Sequence, residues 1–133
     1  MSTTSVERRE LGRFLAVAKQ RYDTGESPAE MFSPAVDAEW HKLLATPEYA
    51  TFSTEHAGIV LGHREVKGSG PIAWVAAYKE AYGPLPEIWF TDAEGVLDEA
   101  ALARYRDTGT VVAEWDCSPT SGDGDDEAVP ATR

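Results

Sequence analysis

Proline and glycine cut this chain into short helical stripes, and that punctuation most constrains its fold. Ser33-Pro34, Thr46-Pro47 and Gly70-Pro71 each read as a helix start. Asp23-Thr24-Gly25, Gly58 and Gly83-Pro84 each read as a stop. Proline suits the first helical turn because that turn has no use for its missing N–H. Glycine suits the left-handed turn that ends a helix. Between these marks, apolar residues recur at helical spacing. Leu11, Phe14, Leu15, Ala18 and Tyr22 predict a helix over 5–22. Val36, Trp40, Leu43 and Leu44 form one apolar stripe after Ser33-Pro34. Tyr49, Phe52 and His56 share a face of a third helix. Ile72, Val75, Tyr78 and Tyr82 mark a fourth, and Asp98-Glu99 opens a fifth with acids where the helix dipole favours them. Ser27-Pro28-Ala29-Glu30 reads as the start of a short turn.

Strand signals are fewer. Val111–Trp115 alternates and begins with β-branched residues. Pro86–Phe90 reads as a short extended segment that could pair with it. Ile59-Val60-Leu61 is apolar but too short for periodicity to assign. Two strands alone are marginal, so they should pack on helices. The expected fold class is mainly α: a small single-domain helical protein over 5–117, with a minor two-stranded β element near the C-terminus. A chain of 133 residues fits one domain and can bury a core without disulfides or metal. From Ser118 the composition turns to Gly, Ser, Pro and acids, including Asp123, Asp125, Asp126 and Glu127. Residues 118–133 therefore read as a disordered acidic tail.

Charge and composition exclude several functions. A formal net charge of −11 opposes binding to nucleic acid or to an anionic membrane surface, and fits a basic protein partner. No apolar run approaches the roughly 18 residues of a membrane span, and the N-terminus has no signal-peptide core. The lone Cys117 cannot form an internal disulfide, so a cytoplasmic location is expected. There is no nucleotide or flavin motif: Gly68-Ser69-Gly70 has neither the Walker spacing nor a nucleophile elbow. The acids after Asp92 miss the calcium-loop spacing, since Val96 and Leu97 fall where an acid and a glycine belong. Cys117 is disfavoured as a catalytic thiol, because Asp116 beside it opposes the thiolate.

The chemistry-bearing signal is the histidines. The chain has three, His41, His56 and His63. Asp37 and His41 are i, i+4 neighbours on one helix. His56 is expected on the next helix, and His63 follows Gly62, which permits close backbone approach. Short connections make successive helices antiparallel neighbours, so the three imidazoles can converge. Such a set suits Zn²⁺ first, and also Ni²⁺, Fe²⁺ or Cu²⁺, with Asp37 as a fourth ligand or as the acceptor that fixes the His41 tautomer. The ion would be structural, or catalytic if a coordination position stays open. The competing reading is a non-enzymatic interaction or accessory module. There, His41 simply bonds Asp37 and His56 complements a helix C-terminus. Trp89 and Phe90 would face opposite sides of a strand, leaving one ring as a surface anchor beside the acidic tail.

The segment VDAEWHKLLATPEYATFSTEHAGIVLGH resembles a pattern found in a family of small bacterial proteins, related to the repeated domain of plant glycine-rich domain proteins. The matching positions are Val36, Asp37, Trp40, His41, Leu44, Tyr49, Phe52, Gly58 and His63. The resemblance covers residues 36–63, is made specific by the uncommon Trp-His pair, and favours a functional histidine cluster without implying an activity. Two positions depart. Family members often carry Cys after the Phe, where this chain has Ser53, and often end in paired histidines, where it has His63-Arg64. If those groups are ligands in the family, His56 would have to compensate here.

Overall fold

Helices form where the punctuation allows them. A computed structural model describes residues 5–120, in which α1 spans Val6–Asp23, α2 Pro34–Leu44, α3 Tyr49–Ala57, α4 Val75–Tyr82 and α5 Glu99–Thr108. Three starts are capped by side chains, that at Ser33 where the sequence marks a start. Ser5 Oγ accepts from Arg8 N at 3.1 Å, Ser33 Oγ from Val36 N at 3.2 Å, and Asp98 Oδ1 from Ala101 N at 3.1 Å. Ser33 Oγ also donates to the Ile88 carbonyl at 2.9 Å, fixing where α2 begins. Ser27–Glu30 starts no helix. It runs on to Met31, whose N–H donates to the Cys117 carbonyl at 3.0 Å.

The sheet has two antiparallel strands, β1 Gly62–Pro71 and β2 Val112–Thr120. Its register runs from Gly62↔Thr120 to Pro71↔Val112, with an irregularity between Glu65 and Gly68. The fold is therefore helix-rich with a two-stranded sheet, but the partner of β2 is not the one expected. Pro86–Phe90 is not extended: Glu87–Phe90 is one turn of 3-10 helix. Thr91 Oγ1 closes it on the Glu87 carbonyl at 2.8 Å. Adjacent side chains on such a turn lie about 120° apart rather than opposed. Both rings therefore point inward, and Trp89 and Phe90 are 1% and 7% exposed. The expected aromatic surface at these two residues is corrected accordingly.

β1 escapes a sequence reading because GHREVKGSGP is mostly polar and exposed, and its glycines are poor strand formers. Gly70-Pro71, expected as a helix start, instead ends this strand, and α4 begins four residues later at Val75. Gly68 is required by its partner, since a Cβ there would meet Trp115 Cζ2 at 2.6 Å. β2 continues past 117 to Thr120, and the Tyr22 hydroxyl donates to the Pro119 carbonyl, tying the strand end to α1. The rest of the acidic-tail expectation, 121–133, lies outside the described residues.

The core centres on Phe14 of α1, whose ring lies 5.8 Å from Trp40, 5.2 Å from Trp74 and 5.8 Å from Trp89. One carboxylate joins them inside: Glu10, fully buried, accepts from Tyr78 Oη and, at 2.9 Å, from Trp89 Nε1. No helix among the described residues is long and apolar enough to cross a membrane.

Candidate metal centre

Three elements meet at one end of the sheet. In α2, Asp37 lies in the first turn and His41 one turn on, with His41 Nε2 3.3 Å from Asp37 Oδ1. β1 brings in His63, whose ring lies edge-on to Trp40 at 4.7 Å and to His41 at 4.6 Å. β2 supplies Cys117, 2% exposed, whose Sγ donates to Asp37 Oδ1 at 3.1 Å. One donor atom from each of Asp37, His41, His63 and Cys117 lies within 4.8 Å of all the others.

The residues of the Trp-His segment build the support for this group. Trp40 Nε1 donates to the Tyr49 hydroxyl at 3.3 Å, which donates to the Leu61 carbonyl at 2.7 Å. Ser53 Oγ donates to the Ile59 carbonyl at 2.7 Å and accepts from Leu61 N at 2.9 Å. Together they fix the segment that enters β1 two residues before His63. On the other side, the Met31–Cys117 bridge sets the entry of α2 beside β2. Ser53 is thus committed to a loop, and Arg64 is exposed.

The structure does not bring His56 to this group. Its ring packs on Phe52 at 4.5 Å and over Gly12 of α1, where a Cβ would meet His56 Cε1 and Nδ1 at 2.6 Å. α3 packs against α1, whereas His41 of α2 meets His63 of β1. The close approach is testable by a double-mutant cycle. In a His56→Ala background, Gly12→Ala is expected to stabilise by roughly 0.5–1 kcal/mol through helix propensity. In the wild type that gain should vanish or reverse, as read by urea denaturation. Equal effects in both backgrounds would remove the contact.

Cys117 is the member that sequence reasoning missed. Its signal was its phase in the strand: it continues the alternation Ala113, Trp115, Cys117. The polar Ser-Pro-Thr run that follows hid the continuation to Thr120.

Half of the group is sheltered and half is open. His63 and Cys117 are buried, while the His41 and Asp37 side chains are 54% and 23% exposed. They open on a cleft of about 370 Å³, lined also by Glu65, Lys67 and Asp116. Glu65 stands opposite Cys117 in the register, so their side chains share a face. Burial pushes the Cys117 thiol well above its ordinary range. The charge and hydrogen bond of Asp37 push the same way, as do the charges of Asp116 and Glu65. Three carboxylates around a thiol and two imidazoles leave a surplus of negative charge and of donor atoms.

Comparison with protein-family models, with curated proteins and with solved structures gives no match. The class of molecule is set by the fold and the site themselves: a helix-rich domain with a mixed nitrogen, oxygen and sulfur donor group where one helix meets a two-stranded sheet.

Proposed function

We propose that the chain binds one divalent transition-metal ion, zinc, through Asp37, His41, His63 and Cys117. One observation carries this reading: four donors of the right chemistry, from three elements, lie within 4.8 Å of one another. Ordinary zinc bond lengths put tetrahedral ligands about 3.3–3.8 Å apart, so closure needs side-chain shifts of about 1 Å. Thiolate and imidazole select zinc over magnesium or calcium, which prefer all-oxygen shells. The surplus negative charge around Cys117 favours a cation at the same point. The ion would staple α2 to both strands, which is a structural role. His41 and Asp37, at the open side, are the ligands that a substrate could approach.

The test is metal content by mass spectrometry on tag-free protein purified without chelator. One equivalent of metal is expected in the wild type and in His56→Ala. Cys117→Ala and His63→Ala should hold less than a tenth of that. A wild type that holds no metal and binds none when titrated with zinc overturns the reading. Retention of full metal by both ligand variants overturns the ligand set.

A further inference from the structure

The 3-10 turn, α5 and the start of β2 enclose an apolar cleft of about 300 Å³. Phe32, Trp89, Phe90, Leu97, Ala101 and Val111 line it. Its volume is about twice that of the roughly 150 Å³ apolar cavity that accepts one benzene, which leaves room for a ring with a short chain. Two valines at its mouth, Val96 and Val112, are 62% and 61% exposed, the highest values among the exposed large hydrophobic residues described. Three charged side chains border it. Asp98, Ala101 and Arg104 recur at i+3 along α5 and so share the face turned to the cleft. Asp98 is committed to capping its own helix. Asp92 Oδ1 accepts from Glu94 N at 2.9 Å and from Val96 N at 2.8 Å. Both carboxylates are thus held by backbone N–H donors rather than by Arg104. The exposed Arg104 guanidinium, by contrast, has no hydrogen bond or ion pair within the described residues.

We infer that this cleft is a binding site for a small aromatic carboxylate, its ring against Phe32, Trp89 and Phe90 and its carboxylate paired with Arg104. An apolar body with one convergent polar anchor is the usual make-up of a small-ligand site, and guanidinium takes carboxylate through two parallel hydrogen bonds. The inference does not depend on the metal centre, which lies among other residues.

The test is calorimetric titration with three matched probes: 3-phenylpropionate, 3-phenylpropionamide and 3-phenylpropylamine, each with and without a chelator. The carboxylate is expected to bind at one site, at least tenfold tighter than the amide or the amine, and equally in chelator. Arg104→Gln should abolish the tenfold preference and leave amide binding unchanged. Ala101→Trp should block all three, and Val112→Glu, at an exposed position, should weaken the carboxylate at least tenfold. No saturable binding of any probe, tightest binding of the amine, or carboxylate binding that survives both Arg104→Gln and Val112→Glu would each overturn the inference.

Discussion

Zinc at a thousandfold excess over its dissociation constant is expected to stabilise the wild-type chain by about 4 kcal/mol, a rise in unfolding midpoint of roughly 10–20 °C for a domain of this size. Cys117→Ser should lose nearly all of that rise. The donors sit at positions 37, 41, 63 and 117, so an unfolded chain cannot present them together and an ion held by all four would stabilise the folded state alone. The serine hydroxyl keeps the shape and can keep the bond to Asp37, but it is a far poorer zinc ligand than thiolate. His56→Ala should keep the full rise, because His56 packs on α1. The pH dependence has a definite sign. The Cys117 thiol is pushed upward, by burial first and then by Asp37. It is protonated at neutral pH in the absence of an ion, and zinc must displace that proton. The zinc-induced rise should therefore shrink as pH is lowered from 8 to 6. Loading with Co²⁺ should add a thiolate-to-metal charge-transfer band that Cys117→Ser lacks. A midpoint unmoved by zinc in the wild type, measured by circular dichroism, would leave the four donors as an ordinary polar cluster.

The part of this centre that was legible in the sequence is the part built by a helix. Asp37 and His41 are neighbours because α-helical spacing makes them so, and no distant part of the chain has to be known. His63 was legible as a candidate because it closes the Trp-His segment. Its actual position depends on Tyr49 and Ser53 holding the Leu61 loop. His56 shared the apolar face of its helix, but which neighbour that face meets is a tertiary fact. Gly12 decides it, by leaving room for the ring on α1. Cys117 was hidden by strand pairing. β1 is polar, rich in glycine and mostly exposed, so nothing local marks it as a strand. Without β1, the residues after Trp115 read as the beginning of a tail. The same asymmetry explains Trp89-Phe90. Two adjacent large rings suggest opposite faces only if the backbone is extended, and Pro86 with the Thr91–Glu87 bond turns it instead. Capped helices were legible because their signals lie within four residues of each other. The sheet was not, since its register pairs Gly62 with Thr120.

Glu10→Ala is expected to destabilise the domain by about 2–5 kcal/mol, while Arg13→Ala should change it by no more than about 1 kcal/mol. The apolar stripe of α1 begins at Leu11, yet the residue before it is a carboxylate with no solvent exposure. Its two oxygens divide the work. Oε1 accepts from Tyr78 Oη and from Trp89 Nε1, so α1 holds both α4 and the 3-10 turn. Oε2 accepts from Arg9 Nε at 3.0 Å and from Arg13 Nη1 at 3.3 Å, which reach in from the surface. Removing the carboxylate strands two buried donors, and each such loss costs about 1–3 kcal/mol. The arginines lose little, because Arg9 and Arg13 side chains are 47% and 33% exposed and can turn to water. Removing Arg13 alone leaves Glu10 bonded to Tyr78, Trp89 and Arg9. The two oxygens thus predict unequal losses from two partners of one ion pair, read as denaturation midpoints followed by tryptophan fluorescence. Glu10→Ala should also loosen the Trp89 ring and hence the floor of the apolar cleft, so its fluorescence should shift even under native conditions. Equal, small effects from Glu10→Ala and Arg13→Ala would mean that the carboxylate acts as a surface partner of the arginines, with Trp89 held by packing and Tyr78 by packing and the bond its hydroxyl accepts from Arg13 Nη1 at 3.2 Å.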